Sequence, residues 1–153
     1  MDEASPGTPD YAFSFLPEVR MLREVLRKVG FLSKLNMEGL EILLERMRRM
    51  PVVQNTEVVR QGDTKADAFY IVARGRCSVW KLRGTAMEKI DELGPGTFFG
   101  ERALITEGPR AATVKTETFT ELYVLYKDEF KAALLNNPEI AADLKRHIEQ
   151  YKP

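Results

Sequence analysis

The chain changes its hydrophobic period twice. Between Glu18 and Met50 apolar residues recur three and four positions apart, first Val19, Leu22, Val25, Leu26 and Val29, then Leu40, Leu43, Leu44 and Met47. That spacing puts one apolar stripe on a helix. It predicts two helices, with Gly30 stopping the first and Ser33 or Asn36 capping the second. From Pro51 to Tyr126 the signals turn to strand. The runs "VVQNTEVVRQGD", "AFYIVARGRCSVWKL", "EKIDELGPG" and "TVKTETFTELYVLY" are separated by glycine-containing turns, and Phe69, Ile71 and Val79 mark an alternating face. Such turn spacing predicts an antiparallel sandwich or barrel rather than βαβ units. After Tyr126 the helical period returns. Asp128 is the expected N-cap of "EFKAALLNN", and Pro138 opens a last helix through Gln150.

This divides the chain into a leader over 1–17, a helical segment over 18–50, a β-roll over 51–127 and terminal helices over 128–153. The leader carries Ser5, Pro6, Gly7, Pro9 and Pro17 and is expected to be flexible, because Tyr11, Phe13 and Phe15 follow no period.

Charge and composition then remove several functions. The 23 basic and 23 acidic residues cancel, so the basic face that nucleic-acid binding needs is not indicated. No apolar run reaches the length of a membrane span, and the acidic start MDEASPGTPD lacks the basic-plus-apolar pattern of a signal peptide, so secretion is not expected. A single cysteine, Cys77, excludes an intramolecular disulfide and fits a reducing compartment, so a cytoplasmic location is expected. Cys77 reads as a small strand residue, and the lone His147 as part of a solvated helix face. Together they leave too few ligands for a zinc or haem site, or for the converging histidines of a cupin-type metalloenzyme.

One stretch fits no simple packing pattern: "FFGERALITEGPRAATV", residues 98–114. A turn enters a short helix at Glu101 and Arg102. Arg110 follows a Gly-Pro break and begins a strand of small residues. A carboxylate and a guanidinium bracketed by apolar residues form either an ordinary surface ion pair or a site for one small anion. The surroundings favour the site. "GD-x3-D-x-FYIVARG", then "LGPGTFFGERAL", then "PRAATV" resemble the cyclic-nucleotide-binding domain over roughly residues 30–150, and 98–114 resembles its phosphate-binding cassette, most like that of the cAMP- and cGMP-dependent protein kinases.

The resemblance implies an α+β, mainly β fold: an eight-stranded antiparallel β-roll, jelly-roll-like, with N-terminal helices and a C-terminal helical lid. It implies a ligand, cAMP or cGMP, and no other cofactor. Arg110 would hold the cyclic phosphate through charge-assisted hydrogen bonds, and Glu101 would accept from the ribose 2′-hydroxyl. Backbone amides around Gly100, Ala103 and Ala111 would reach the phosphate oxygens, beside Phe99 and Ala112. Val79 and Ile90 match positions lining the purine pocket, although both also suit plain sandwich core; Trp80 alternates with Val79 and faces away. Leu104, with Phe130 or Leu134, is the candidate contact that carries cassette movement to the lid, from which Ile148 and Tyr151 would reach the base.

Two departures leave the purine open. Arg102 stands where an aliphatic residue is usual, which is similar to some protozoan cGMP-dependent kinases that use an arginine to latch the last helix; an exposed first-turn arginine is the alternative, and both readings stay open. Ala111 stands where cGMP-selective kinase domains often carry threonine, which leans towards cAMP. No catalytic residue set is apparent, so the chain reads as a receptor domain rather than an enzyme. Its expected partner is an effector domain or subunit, a protein kinase before a gated channel or transporter. A degenerate, purely structural member of the family would have no reason to keep Glu101 and Arg110.

Overall fold

The computed structural model describes residues 17–151, so the leader as far as residue 16 lies outside the described residues, as do the side chains of His147 and Tyr151, while Pro17, expected in the leader, already belongs to the first helix. The first helical stripe is buried as its period predicts: α1, Pro17–Lys28, and the turn after it leave Val19, Leu22, Val25, Leu26 and Val29 at most 1% exposed. A 3-10 turn, Gly30–Leu32, follows, and then α2, Met37–Arg46. Of the two candidate caps, Asn36 takes the role: its side-chain oxygen accepts from the Gly39 N–H at 2.8 Å.

The β region starts three residues earlier than its composition suggests, with β1 at Arg48–Val52. Arg48, Arg49 and Met50 read as helix end, yet they pair with Val124, Tyr123 and Leu122 of the last strand, Thr120–Tyr126. Pro51 disfavours helix at the residue before it and tolerates only a sheet edge, and β1 is an edge strand. The remaining strands are β2 Glu57–Val59, β3 Ala68–Arg74, β4 Cys77–Arg83, β5 Ala86–Leu93, β6 Phe98–Phe99, β7 Thr113–Thr116 and β8 Thr120–Tyr126. They form two four-stranded antiparallel sheets, β1-β8-β3-β6 and β2-β7-β4-β5, the pairing order of a jelly roll.

Strand β8 runs without a loop into α3, Lys127–Leu135. Tyr126 therefore occupies the N-cap position, with no side-chain cap, and Asp128 falls inside the first turn instead of capping it. There its charge still favours the helix dipole. The last helix, α4, opens at Pro138 as expected and runs to Tyr151.

The first sheet is buried on both faces. Phe69, Ile71, Tyr123 and Leu125 point into a core shared with the helices, with Leu22, Leu26, Phe31, Leu40, Phe130 and Leu144. The alternate residues Tyr70, Val72, Leu122 and Val124 point into the roll, with Phe99 of the neighbouring β6, against Cys77 and Val114 of the facing sheet. This explains why β3 reads as an almost continuous apolar run, where alternation alone would have left Tyr70 and Val72 outside.

A polar cluster fastens α1 to this sheet. The Tyr123 hydroxyl donates to Glu18 Oε2 at 2.6 Å, and Arg74 pairs with Glu18 Oε1 at 3.0 Å. Arg49 donates to Glu121 Oε2 at 2.6 Å. The Tyr123 hydrogen bond, then Arg74, hold the Glu18 carboxyl below its ordinary range against the opposing effect of burial. A carboxyl with a lowered folded-state pKa stabilises above its unfolded pKa, and that stability is lost as pH falls. Glu18→Gln should therefore cost about 1–2 kcal/mol at pH 7, and the gap to the wild type should close as pH drops below about 4. Denaturant unfolding at pH 7 and pH 3 checks this; a gap of the same size at both would mean that the Glu18 charge contributes nothing.

Candidate functional site

The segment 98–114 folds back on itself to form one wall of a cleft of about 650 Å³. Strand β6 ends at Phe99, and Gly100 turns the chain in the left-handed region, φ 81°, into a 3-10 turn, Glu101–Leu104. The cleft is lined by Gly100, Glu101, Arg102 and Ala103, by Thr106 to Ala111, and by Ala66 from the β2–β3 loop. The carboxylate and the guanidinium singled out in the sequence thus face one space.

Arg110 is held at both ends. Its backbone is sewn to the turn after β2: Gly62 N–H donates to Arg110 O at 2.8 Å, and Arg110 N–H to Asp63 O at 2.9 Å. Its Nη2 donates to the Ala68 carbonyl at 2.9 Å, and its guanidinium carbon sits 5.9 Å from the centre of the Tyr70 ring. Tyr70 is in turn stacked on Phe99, with centroids 4.9 Å apart and planes 15° apart. Burial pushes the Tyr70 hydroxyl pKa up, with Arg110 opposing, so the ring stays a neutral phenol beneath the cation.

This arrangement explains the glycine. A Cβ on residue 100 would lie 2.4 Å from Arg110 Nη1 and 3.0 Å from the Ala68 carbonyl oxygen. The backbone demands a positive φ and the guanidinium demands the empty space.

Several expected residues sit elsewhere. Phe99 is only 8% exposed and backs Tyr70 instead of facing the cleft. Ala112 is half-buried and does not line it. The Ala103 N–H, expected as a spare donor, is used by the Gly100 carbonyl at 3.1 Å, because the turn is a single 3-10 turn that closes on itself. Val79 packs at the margin of the roll core, and Ile90 is 43% exposed, being the extra residue of a β5 bulge opposite Val79 and Trp80. Neither lines the cleft, and the core reading of Ile90 is incorrect. Ile148 packs on the helical core with Leu144 and Ile140, since α4 lies against Gly30–Leu32, so it is not brought to the cleft.

The apolar link does form: Leu104, 2% exposed, shares one core with Phe130, and Leu134 packs against it. Sequence reasoning missed Tyr70, Ala66 and Lys127. Lys127 donates from Nζ to the Thr106 carbonyl at 3.2 Å and pairs with Glu107 at 3.0 Å.

Residues 49–137 match the family model of the cyclic nucleotide-binding domain, and the chain belongs to that family. It is 32% identical over 132 residues to a cAMP-dependent protein kinase regulatory subunit of Mucor circinelloides f. lusitanicus, covering 86% of this chain and 30% of that protein. It is 32% identical over 123 residues to a cyclic nucleotide-gated potassium channel of Rhizobium etli, covering 80% of this chain and 33% of the channel. Among solved structures, the regulatory domain of Toxoplasma gondii PKA with cAMP superposes with a TM-score of 0.67 at 30% identity, over 76% of this chain and 44% of that one. The chain spans about a third of the length of the curated relatives it matches. Among the described residues no helix is long and apolar enough to cross a membrane.

Gly100→Ala should cost more than the ~1–2 kcal/mol of forcing an L-residue into the left-handed region, because Arg110 must also move. Gly96→Ala is the control: its φ is 87°, but nothing lies within 4 Å of the added Cβ. Denaturant unfolding of both variants decides the point; equal losses would show that crowding by Arg110 is not what requires the glycine.

Proposed function

We propose that this domain is a receptor for a 3′,5′-cyclic nucleotide, with cAMP preferred to cGMP, and that it passes ligand capture through α3 and α4 to an effector, a protein kinase in the first place. The observation that carries the reading is the Arg110 guanidinium held at the cleft by the Ala68 carbonyl, with Glu101 in the same lining. A cyclic phosphodiester carries one negative charge. Arg110 meets it with the donors not spent on Ala68, in a half-buried site where a charge-assisted bond is strong. The Ala111 N–H has no acceptor among the described residues and stands next to Arg110, so it supplies a backbone donor. Glu101 would oppose the phosphate unless it accepts a hydrogen bond, and the ribose 2′-hydroxyl is the donor the ligand offers.

Such a domain does no bond chemistry and needs no cofactor besides its ligand; we read it as a cytoplasmic module. Its output is a population shift, which requires the ligand to prefer one arrangement of the cassette and helices. Leu104, in one core with Phe130 and Leu144, is the apolar part of that link. The kinase reading draws on the Mucor relative and the Toxoplasma structure. Gating of a channel is the second reading, supported by the Rhizobium relative. The full-length protein distinguishes them.

Calorimetric titration should find one cAMP per chain, bound far more tightly than AMP, whose phosphate is doubly charged and not cyclised. Arg110→Lys should weaken cAMP binding by about 1.5–3 kcal/mol, roughly ten- to a hundredfold, with little change in melting temperature. Equal affinities for AMP and cAMP contradict the proposal, and unfolding of the lysine variant would make Arg110 a structural residue.

Purine choice has its own test. Ala111 is exposed and lines the cleft. Ala111→Thr should add a hydroxyl for the guanine amino group and shift preference towards cGMP by about three- to tenfold, the worth of a neutral hydrogen bond. An unchanged cAMP/cGMP ratio would remove Ala111 from the basis of selectivity.

A further inference from the structure

Lys127, the first residue of α3, joins the segments that build the cleft. Its backbone N–H donates to the Asp67 carbonyl at 2.7 Å. Asp67 lies between Ala66, which lines the cleft, and Ala68, whose carbonyl holds Arg110. The Lys127 Nζ reaches the 98–114 wall, donating to the Thr106 carbonyl at 3.2 Å and to Glu107 Oε2 at 3.0 Å. Thr106 closes the 3-10 turn, with its N–H and its hydroxyl both bonded to the Arg102 carbonyl, at 2.9 and 2.8 Å.

The burial of this pair is uneven. The Lys127 side chain is 13% exposed, the Glu107 side chain 90%. The ammonium has been drawn out of water to a place where two oxygens receive it, whereas Glu107 reaches in from the rim. Glu107 is a carboxylate in the lining of a cleft that offers Arg110 to an anion. Left alone it would repel the anion, and Lys127 cancels that charge at 3.0 Å. The same bonds are mechanical. Helix α3 cannot pivot at its root without pulling on Thr106 and Glu107 or breaking a charge-assisted hydrogen bond.

We infer that Lys127 is a positioning residue of the ligand site: it ties the exit of the 101–104 turn to the root of α3 and cancels the Glu107 charge at the rim, so that ligand-driven movement of the turn is delivered to the helix as a polar link beside the apolar one. The inference rests on the cyclic-nucleotide reading of the cleft.

Two readouts test it on the whole chain. In cAMP titrations at low salt, Lys127→Met should lose about three- to tenfold in affinity, and high salt should shrink the loss because Glu107 is exposed. Adding Glu107→Gln to Lys127→Met should return affinity to within about twofold of wild type, and Lys127→Arg should bind as wild type does. A lysine that only packed would show no such rescue. Amide hydrogen exchange without nucleotide reads the tether itself: Ile105 and Thr106, whose N–H groups close the turn onto Arg102, should exchange faster in Lys127→Met. Wild-type affinity in Lys127→Met, or a loss that Glu107→Gln leaves in place, overturns the proposal, and so do unchanged exchange rates. If the wild-type protein binds neither cAMP nor cGMP, the reading of the cleft fails, and the exchange rates alone uphold or overturn the tether. Should Lys127→Met not fold, Lys127→Gln carries the same expectations.

Discussion

Arg110 donates to the carbonyl of Ala68 at 2.9 Å, across a space that a Cβ on residue 100 would fill. A half-buried guanidinium needs hydrogen-bond partners to offset its desolvation, and a strand carbonyl is a partner that does not move. Three distant stretches must meet for that bond to exist. Ala68 opens β3, Gly100 follows β6, and Arg110 precedes β7. The jelly-roll order sets β6 beside β3, while the two bonds between Arg110 and the Gly62–Asp63 turn bring the arginine in from the other sheet. The fold is thus the device that turns a flexible cation into a fixed one.

Rigidity beneath the site comes from the central strand. Because the first sheet is buried on both faces, β3 can present Tyr70 to the roll and Phe69 to the helices. Tyr70, stacked on Phe99, supplies the floor under the guanidinium; Phe69 packs edge-on against Phe98, with centroids 5.8 Å apart. Strands β3 and β6 therefore hold each other through both faces, and the turn leaving β6 inherits a fixed start. The far end of that turn packs on β3 and also meets the helices. It touches α3 through Leu104, in one core with Phe130, and through Lys127, which donates to the Thr106 carbonyl, so the cassette and the helices share a direct contact there.

How much of this was legible depended on the range of each constraint. Residues 98–114 stood out because their requirements are local: a glycine where φ is positive, small residues beside an arginine, and a break at Gly-Pro. The helical stripes and the antiparallel character of the middle of the chain were legible for the same reason, since each is a period within one element. Tyr70 was hidden because strict alternation assumes one wet face, and β3 has none. The start of β1 was hidden because Arg48 and Arg49 are good helix formers, overruled by pairing with β8. Asp128 looked like a cap until β8 ran straight into the helix. Lys127 gave no local signal at all; its partners Thr106 and Glu107 lie 21 and 20 residues away. Val79 and Ile90 were placed by resemblance, and the bulge in β5 turns Ile90 into an exposed residue that no period could announce.

The claim at the centre is that a fixed Arg110 is the anion receptor, and it can be observed directly. In a nitrogen-15 NMR titration of the intact chain with cAMP, the Arg110 side-chain N–H signals and the Ala111 amide should shift together and saturate at one equivalent, with Gly100 and Glu101 following the same curve. Saturable shifts confined to other residues, with the Arg110 and Ala111 signals unmoved, would contradict it.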